Sequence, residues 1–246
     1  MLLHVTGLTK RYGRLTALSD VSFVIRPGEV LGLIGPNGSG KTTLFECLGG
    51  VLPADAGRVL SDGRPLAAHE RSAAMFYLPD AIAPWPTQTV RWALDFTAGY
   101  FGAPSGLRDI VVNALSLEPL LDQRIGRLSK GQRKRALLAV GLLTSRQVVL
   151  ADEPFDGLDL RQTREVGAAL RSFARDGRTL VLSIHQIGDA ARVCDRFVLL
   201  SGGTIRGEGT LDELTALASA RIGPPGTGSL GSGTLGTLEE AFLALT

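Results

Sequence analysis

Gly35-Pro36-Asn37-Gly38-Ser39-Gly40-Lys41-Thr42 fits the pattern G-x-x-x-x-G-K-[ST], a loop whose chemistry is the cradling of phosphates. Its glycines let the backbone curl round an anion without Cβ clashes. Successive N–H groups, and the positive end of a helix that follows, converge on one point. Lys41 then reaches the outer phosphates, and the Thr42 hydroxyl is a ligand for Mg²⁺. A pair of carboxylates, Asp152 and Glu153, ends the apolar run Val148-Val149-Leu150-Ala151. Adjacent strand residues point to opposite sides, so the two can do different jobs. Asp152 suits Mg²⁺, held through water, and Glu153 suits the general base that polarises water at the γ-phosphate. His185 closes a further apolar run, Leu180-Val181-Leu182-Ser183-Ile184. It too falls at a strand C-terminus, where open α/β sheets bind their ligands.

The elements that must position these groups are legible around them. Val30-Leu31-Gly32-Leu33-Ile34 reads as a buried parallel strand before the loop, and residues 43–48 read as a helix after it. Residues 1–34 read as β, with Val21, Phe23 and Ile25 inward and a turn at Arg26-Pro27-Gly28-Glu29. Tyr12, beside Gly13, is either packing or a flat face for a base. Residues 58–60 are a weak β segment, and Met75-Phe76-Tyr77-Leu78 is a strand that stops at Pro79-Asp80. Beyond Pro84-Trp85-Pro86 the pattern turns helical. Val90, Ala93, Leu94, Thr97, Ala98 and Phe101 form one stripe. A second stretch, over about residues 107–117, carries Ile110, Val111, Ala114 and Leu115 inward. Ser129 caps a long helix containing the apolar run 136–143. Residues 84 to about 145 are therefore an all-helical insert in an α/β domain. A helix over residues 161–173, and strands flanking Ser201-Gly202-Gly203, complete the core. Capping boxes start helices at Thr210 and Thr237. Between them, residues 223–236 are rich in Gly, Pro, Ser and Thr and read as a flexible linker. The last helix, 237–246, is expected to dock back through Leu238, Ala241, Phe242 and Leu245. The fold class is α/β: a mostly parallel sheet covered by helices on both faces, an N-terminal antiparallel β part and the helical insert, all within residues 1–222.

Composition narrows the function. The 246 residues carry a net charge of +2, which argues against a strongly basic nucleic-acid binder and an acidic disordered chain. Cys47 and Cys194 lie far apart, so a metal site or disulfide framework is not expected and a reducing cytosol is the default. No signal-peptide order opens the chain, and no apolar run approaches the roughly 18–20 residues that span a bilayer. A soluble protein is expected, with any membrane role exercised through a partner.

Leu128-Ser129-Lys130-Gly131-Gln132, by itself a capped helix start, resembles the signature peptide of ATP-binding-cassette (ABC) ATPases. The resemblance runs through nearly the whole chain in the family's order and spacing. Tyr12 matches the adenine-stacking aromatic, and residues 35–42 match the phosphate loop of the P-loop NTPase core. Asp80 stands at the Q-loop position, where glutamine is usual, and Lys130 stands where glycine is commoner. Residues 148–153 look like the second acidic motif, Phe155-Asp156-Gly157-Leu158-Asp159 like the D-loop, and His185 like the switch histidine. The resemblance implies ATP and Mg²⁺ as ligands. Tyr12, Gly35, Pro36, Asn37, Gly38, Ser39, Gly40, Lys41, Thr42 and Thr43 would bind ATP; Thr42, Asp152 and Asp80 would hold the metal; Glu153, His185 and Asp80 would act in hydrolysis. It also implies a head-to-tail dimer, homomeric or with a related ATPase subunit. Ser129, Lys130, Gly131, Gln132 and Asp159 would there touch the ATP held by the partner's loop, a second anion-binding helix end closing the clamp. The cluster Arg127, Lys130, Arg133, Lys134 and Arg135 reads as the cationic rim of that clamp and a solvated helix face, with no nucleic acid expected. Together these imply the ATPase subunit of an ABC transporter, cytoplasmic and peripheral on the inner face of the membrane through a separate permease. Asp80, Lys130 and the closing residues 238–246 look like the drug- and antibiotic-exporter branch. Trp85, Phe96 and Tyr100 in the insert are either a permease-gripping groove or core. The alternative is a non-transport ABC ATPase acting on ribosomes or DNA. It is disfavoured by a single cassette with neither a charged linker to a second one nor a coiled-coil split.

Overall fold

A computed structural model describes residues 1–80, 82–222 and 237–246; the expected linker, 223–236, lies outside the described residues. The strands are β1 (Leu3–Tyr12), β2 (Leu15–Ile25), β3 (Val30–Ile34), β4 (Ala56–Ser61), β5 (Arg64–Pro65), β6 (Met75–Leu78), β7 (Val148–Asp152), β8 (Thr179–Ile184), β9 (Arg196–Ser201) and β10 (Thr204–Gly209). The helices are α1 (Lys41–Leu48), α2 (Ala68–Ala74), α3 (Val90–Phe101), α4 (Leu107–Ala114), α5 (Lys130–Leu143), α6 (Leu160–Arg175), α7 (Ile187–Val193), α8 (Leu211–Ile222) and α9 (Leu238–Leu245).

Two sheets result. The first is antiparallel, of order β2-β1-β4-β5; the second has the order β10-β9-β3-β8-β7-β6, parallel from β9 to β6, with β10 as an antiparallel edge. The period of two along each parallel strand divides the core. Leu31, Leu33, Val148, Leu150, Val181, Val198 and Leu200 pack with α1 and the antiparallel sheet on one face. Val30, Ile34, Val149, Ala151, Leu180, Leu182, Phe197 and Leu199 pack under the helices on the other. Burial on both faces explains why these strands read as continuous apolar runs.

The helical layer is anchored at both ends by caps. Thr89 Oγ1 accepts the Trp92 N–H at 3.1 Å. Ser129 Oγ accepts the Gln132 N–H at 3.3 Å, and Gln132 Oε1 answers on the Ser129 N–H at 2.9 Å. The layer grades into the core along α5. Close packing there requires Gly141, since a Cβ would sit 2.7 Å from Leu78 Cδ1. In α4 the inward face is Val111 and Val112; Ile110, expected inward, is 60% exposed. The helix stops at Ala114, so Leu115 is buried from the loop that follows. α2 and α7 carry no sequence expectation. α2 buries no residue and so shows no apolar stripe. At the other end of the chain, α9 buries Leu238, Ala241 and Leu245 against the domain, beside α8 and α7.

Candidate active site

Strand register brings the chemical residues to one edge. Ile34 pairs with Ile184 across β3 and β8, Asp152 with Ser183 across β7 and β8, and Leu78 with Ala151 across β6 and β7. The residues just past those pairs are the phosphate loop, Glu153, His185 and Asp80. All therefore stand at the carboxyl ends of neighbouring parallel strands.

The loop rises from β3 and turns into α1 at Gly40, whose φ of +106° suits glycine alone. A Cβ at Gly40 would also lie 2.6 Å from the Ala17 carbonyl oxygen. Lys41 is buried; its Nζ donates to the carbonyls of Gly35 at 2.8 Å and Pro36 at 3.3 Å, and lies 3.6 Å from Glu153 Oε1. Thr42 Oγ1 donates to Asp152 Oδ2 at 2.8 Å. The Ser183 hydroxyl donates to the other Asp152 oxygen and also accepts the Glu153 N–H at 3.0 Å. Thr42 and Asp152 are hard oxygen donors of the kind Mg²⁺ takes, one or two from protein and the rest from phosphate and water. Among the described residues there is no cluster of three His, Cys, Asp or Glu side chains for an all-protein metal cage.

Glu153 links Lys41 and His185. Its Oε2 lies 2.5 Å from His185 Nδ1 while Oε1 faces Lys41. Its backbone is held at φ +49°, in the left-handed region that non-glycine residues adopt at a cost. The restraint is local: its N–H is tied to Ser183, and its carbonyl accepts the Asp156 N–H at 3.2 Å. The carboxylate is thereby aimed away from the strand line that Asp152 follows.

A cleft of about 660 Å³ opens over this edge, lined by Tyr12, Asn37, Gly38, Gly40, Lys41, Thr42, Thr43, Asp80, Asp152 and Glu153. Tyr12 stands half-exposed at its rim, with Lys10 Nζ 5.7 Å from the ring centroid. Leu15, Thr16, Ala17, Gly202 and Gly203 also line the cleft, and sequence reasoning did not single them out for it. The signal for Ser183 was available, since it is the one polar residue within an apolar strand core. His185 reaches the cleft through Glu153.

Ser129, Lys130, Gly131, Gln132 and Asp159 do not line that cleft. They form a second cluster, at the adjacent starts of α5 and α6. Asp159 Oδ1 caps α6 by accepting the Gln162 N–H at 2.8 Å. Lys130 is ion-paired with Asp156; the contact raises the lysine pKa and lowers that of the aspartate. Gly131 packs so closely on the Gly157 carbonyl that a Cβ would lie 2.5 Å from its oxygen. Lys134, expected on a solvated face with its basic neighbours, points inward and is buried. Arg135 is also engaged, donating to the Leu115 and Ser116 carbonyls at 3.1 Å.

The helical layer carries an exposed aromatic ladder. Trp85, Trp92, Phe96 and Tyr100 touch in sequence, with ring centroids 5.7 Å, 5.0 Å and 6.1 Å apart. Tyr100 is 73% exposed, so this is surface, not core.

A family model described as ABC transporter matches residues 18–156. Nod factor export ATP-binding protein I of Rhizobium etli is 34% identical over 215 residues, spanning 85% of this chain and 68% of the relative. Among solved structures, an ATP-binding subunit of an ABC transporter superposes with a TM-score of 0.84 at 25% identity, covering 100% of this chain and 99% of that one. An ATP-binding cassette solved as a dimer in a post-hydrolysis state with ADP and Pi has a TM-score of 0.75 at 25% identity, covering 85% of this chain and 98% of its own.

Proposed function

The chain belongs to the ABC transporter family of ATP-binding proteins, and from that premise we propose that the cleft over the β3, β7 and β8 ends hydrolyses ATP to drive a separate permease. The protein is an ATPase subunit of an ABC transporter. One observation carries the assignment of roles within it. Glu153 presents one oxygen to His185 and the other to Lys41, while Asp152, one residue earlier, is bonded to Thr42.

The roles follow from that arrangement. Backbone N–H groups of the loop and the start of α1 take the phosphates, Lys41 the outer ones. Thr42 and Asp152 would hold Mg²⁺, which when bound neutralises charge on the phosphate oxygens. Glu153 accepts a proton from the attacking water, and His185 holds that carboxylate in line. Tyr12 offers its ring to the base at the rim.

The signature cluster does not line the chain's own cleft, which supports a head-to-tail dimer in which Ser129 to Gln132 close over the partner's ATP. The dimeric solved relative supports the same reading. Among the described residues no helix is long and apolar enough to cross a membrane. The aromatic ladder from Trp85 to Tyr100 is the face proposed to grip the permease and hold the subunit at the inner membrane surface. The name of the Rhizobium etli relative favours export as the direction.

The test is ATP hydrolysis by the purified chain with Mg²⁺, beside Lys41→Ala. Phosphate release by the parent and loss of nucleotide binding in the variant are expected; normal ATP affinity in the variant would overturn the assignment of the loop.

A further inference from the structure

Lys134 lies in the second turn of α5 and is 5% exposed. Its ammonium donates to the Asp152 carbonyl oxygen at 3.0 Å and lies 2.5 Å from Asp80 Oδ1. The approach to Asp80 is off the hydrogen-bond axis, so that contact is ionic, whereas the bond to the carbonyl is directional. Three elements meet at this one nitrogen. They are α5, which begins at the signature residues; the end of β7, which carries Asp152 and Glu153; and the turn after β6, which carries Asp80.

Asp80 also lines the nucleotide cleft with Thr42 and Asp152. A carboxylate there has two cations to choose from, the lysine and a metal ion. Lys134 cannot follow Asp80 toward the metal without surrendering the Asp152 carbonyl. If Asp80 moved alone, it would strand a buried ammonium, which is strongly unfavourable. The pair is net neutral, as the usual glutamine is, so the charge of Asp80 is cancelled where it arises.

We propose that Asp80 and Lys134 act as one neutral clasp: Lys134 is a positioning residue that withholds Asp80 from the metal and fixes the signature helix against the Asp152-Glu153 strand end. The proposal rests on the ATPase reading of the cleft and replaces metal ligation as the task of Asp80. Its consequence is specific. Removing the lysine charge releases a carboxylate beside the Thr42–Asp152 metal site, so metal binding should strengthen while turnover falls through misplacement of the strand end.

The experiment uses the full chain and the variants Asp80→Asn, Lys134→Gln and Asp80→Asn/Lys134→Gln. Mn²⁺ affinity is read by electron paramagnetic resonance in the presence of ADP, and binding of a fluorescent ATP analogue is read without divalent ions. With Asp80 off the metal, Asp80→Asn leaves the Lys134 charge unbalanced beside the site and should weaken Mn²⁺ affinity by about tenfold, through charge alone. Lys134→Gln should tighten it by about tenfold or more, since one added negative charge a few ångströms from a dication is worth that much even at the dielectric of bulk water, ~80. The double variant should return to the parent value, and it keeps the measurement readable if the stranded ammonium of Asp80→Asn lowers stability. A tenfold or greater weakening in the double variant, in which both charges are gone, would make Asp80 a direct ligand and overturn the clasp. Unchanged Mn²⁺ affinity in Lys134→Gln would overturn it as well. Absence of analogue binding by the parent chain would refute the ATPase reading instead.

Discussion

Replacing Glu153 by glutamine tests the site with little disturbance of its frame. The side chain keeps its length, and its amide oxygen can still face Lys41 or His185 across the 3.6 Å and 2.5 Å contacts. The backbone angle of +49° is unaffected, because both residues carry a Cβ. What disappears is the negative charge proposed to accept the water proton. General-base catalysis is worth on the order of 10²–10⁴ in rate, or about 2.7–5.5 kcal/mol at ~1.36 kcal/mol per decade. Glu153→Gln should therefore bind ATP, release phosphate at least about a hundredfold more slowly, and collect as an ATP-bound dimer on gel filtration. Glu153→Gly separates strain from chemistry. It should be equally inactive, yet melt higher than Glu153→Gln, because relief of the left-handed backbone returns about 1–2 kcal/mol, or roughly 2–4 °C per kcal/mol in a chain of this size. The assays are single-turnover phosphate release and thermal unfolding. A glutamine variant that turns over at the parent rate and stays monomeric would refute both the base and the clamp.

Gly40→Ala should lose nucleotide binding and about 1–3 kcal/mol of stability, since φ is +106° and the Ala17 carbonyl lies 2.6 Å from the new Cβ; unchanged urea midpoint and ATP affinity would contradict this. Burial pushes the Cys47 thiol up to about 11 and the Cys194 thiol up as well. An unfolded thiol ionises near 8.5, so from about pH 8.5 to 11 the folded chain holds protons that the unfolded chain has released. Their contribution is full below that window and falls as pH rises through it. Cys47→Ala/Cys194→Ala should flatten the alkaline decline in melting temperature, and an equally steep decline would refute the cause. On the aromatic ladder, Phe96→Ser/Tyr100→Ser should leave phosphate release by the isolated chain intact and abolish its co-sedimentation with permease-containing membranes; retained binding would remove the ladder from that interface.

The core was legible because buried parallel strands write themselves as apolar runs, and the residues ending those runs meet at the edge of the cleft proposed to bind ATP. The loop, Asp152, Glu153 and His185 were readable for that reason. Lys134 was not. In sequence it sits among Arg133, Arg135 and Lys130 and looks like one more solvated cation, and only the path of α5 across the end of β7 turns it inward. Ile110 failed differently, because α4 is a short helix whose rotation is set by Val111 and Val112, and a single turn of stripe does not fix a face. α2 was invisible because it buries nothing. Gly202, Gly203 and residues 15–17 reach the cleft through sheet-to-sheet packing, a long-range contact with no local pattern.

The central claim is that each ATP is handled by two chains, the loop of one and the signature of the other. Mixing two inactive variants measures it directly: Lys41→Ala, with a broken loop and intact signature, and Ser129→Arg, with the reverse. In a head-to-tail dimer of the two, one site combines an intact Lys41 with an intact Ser129, and the mixture should recover phosphate release that neither component shows alone. A mixture as inactive as its parts would contradict the shared site, as would full activity of Ser129→Arg by itself.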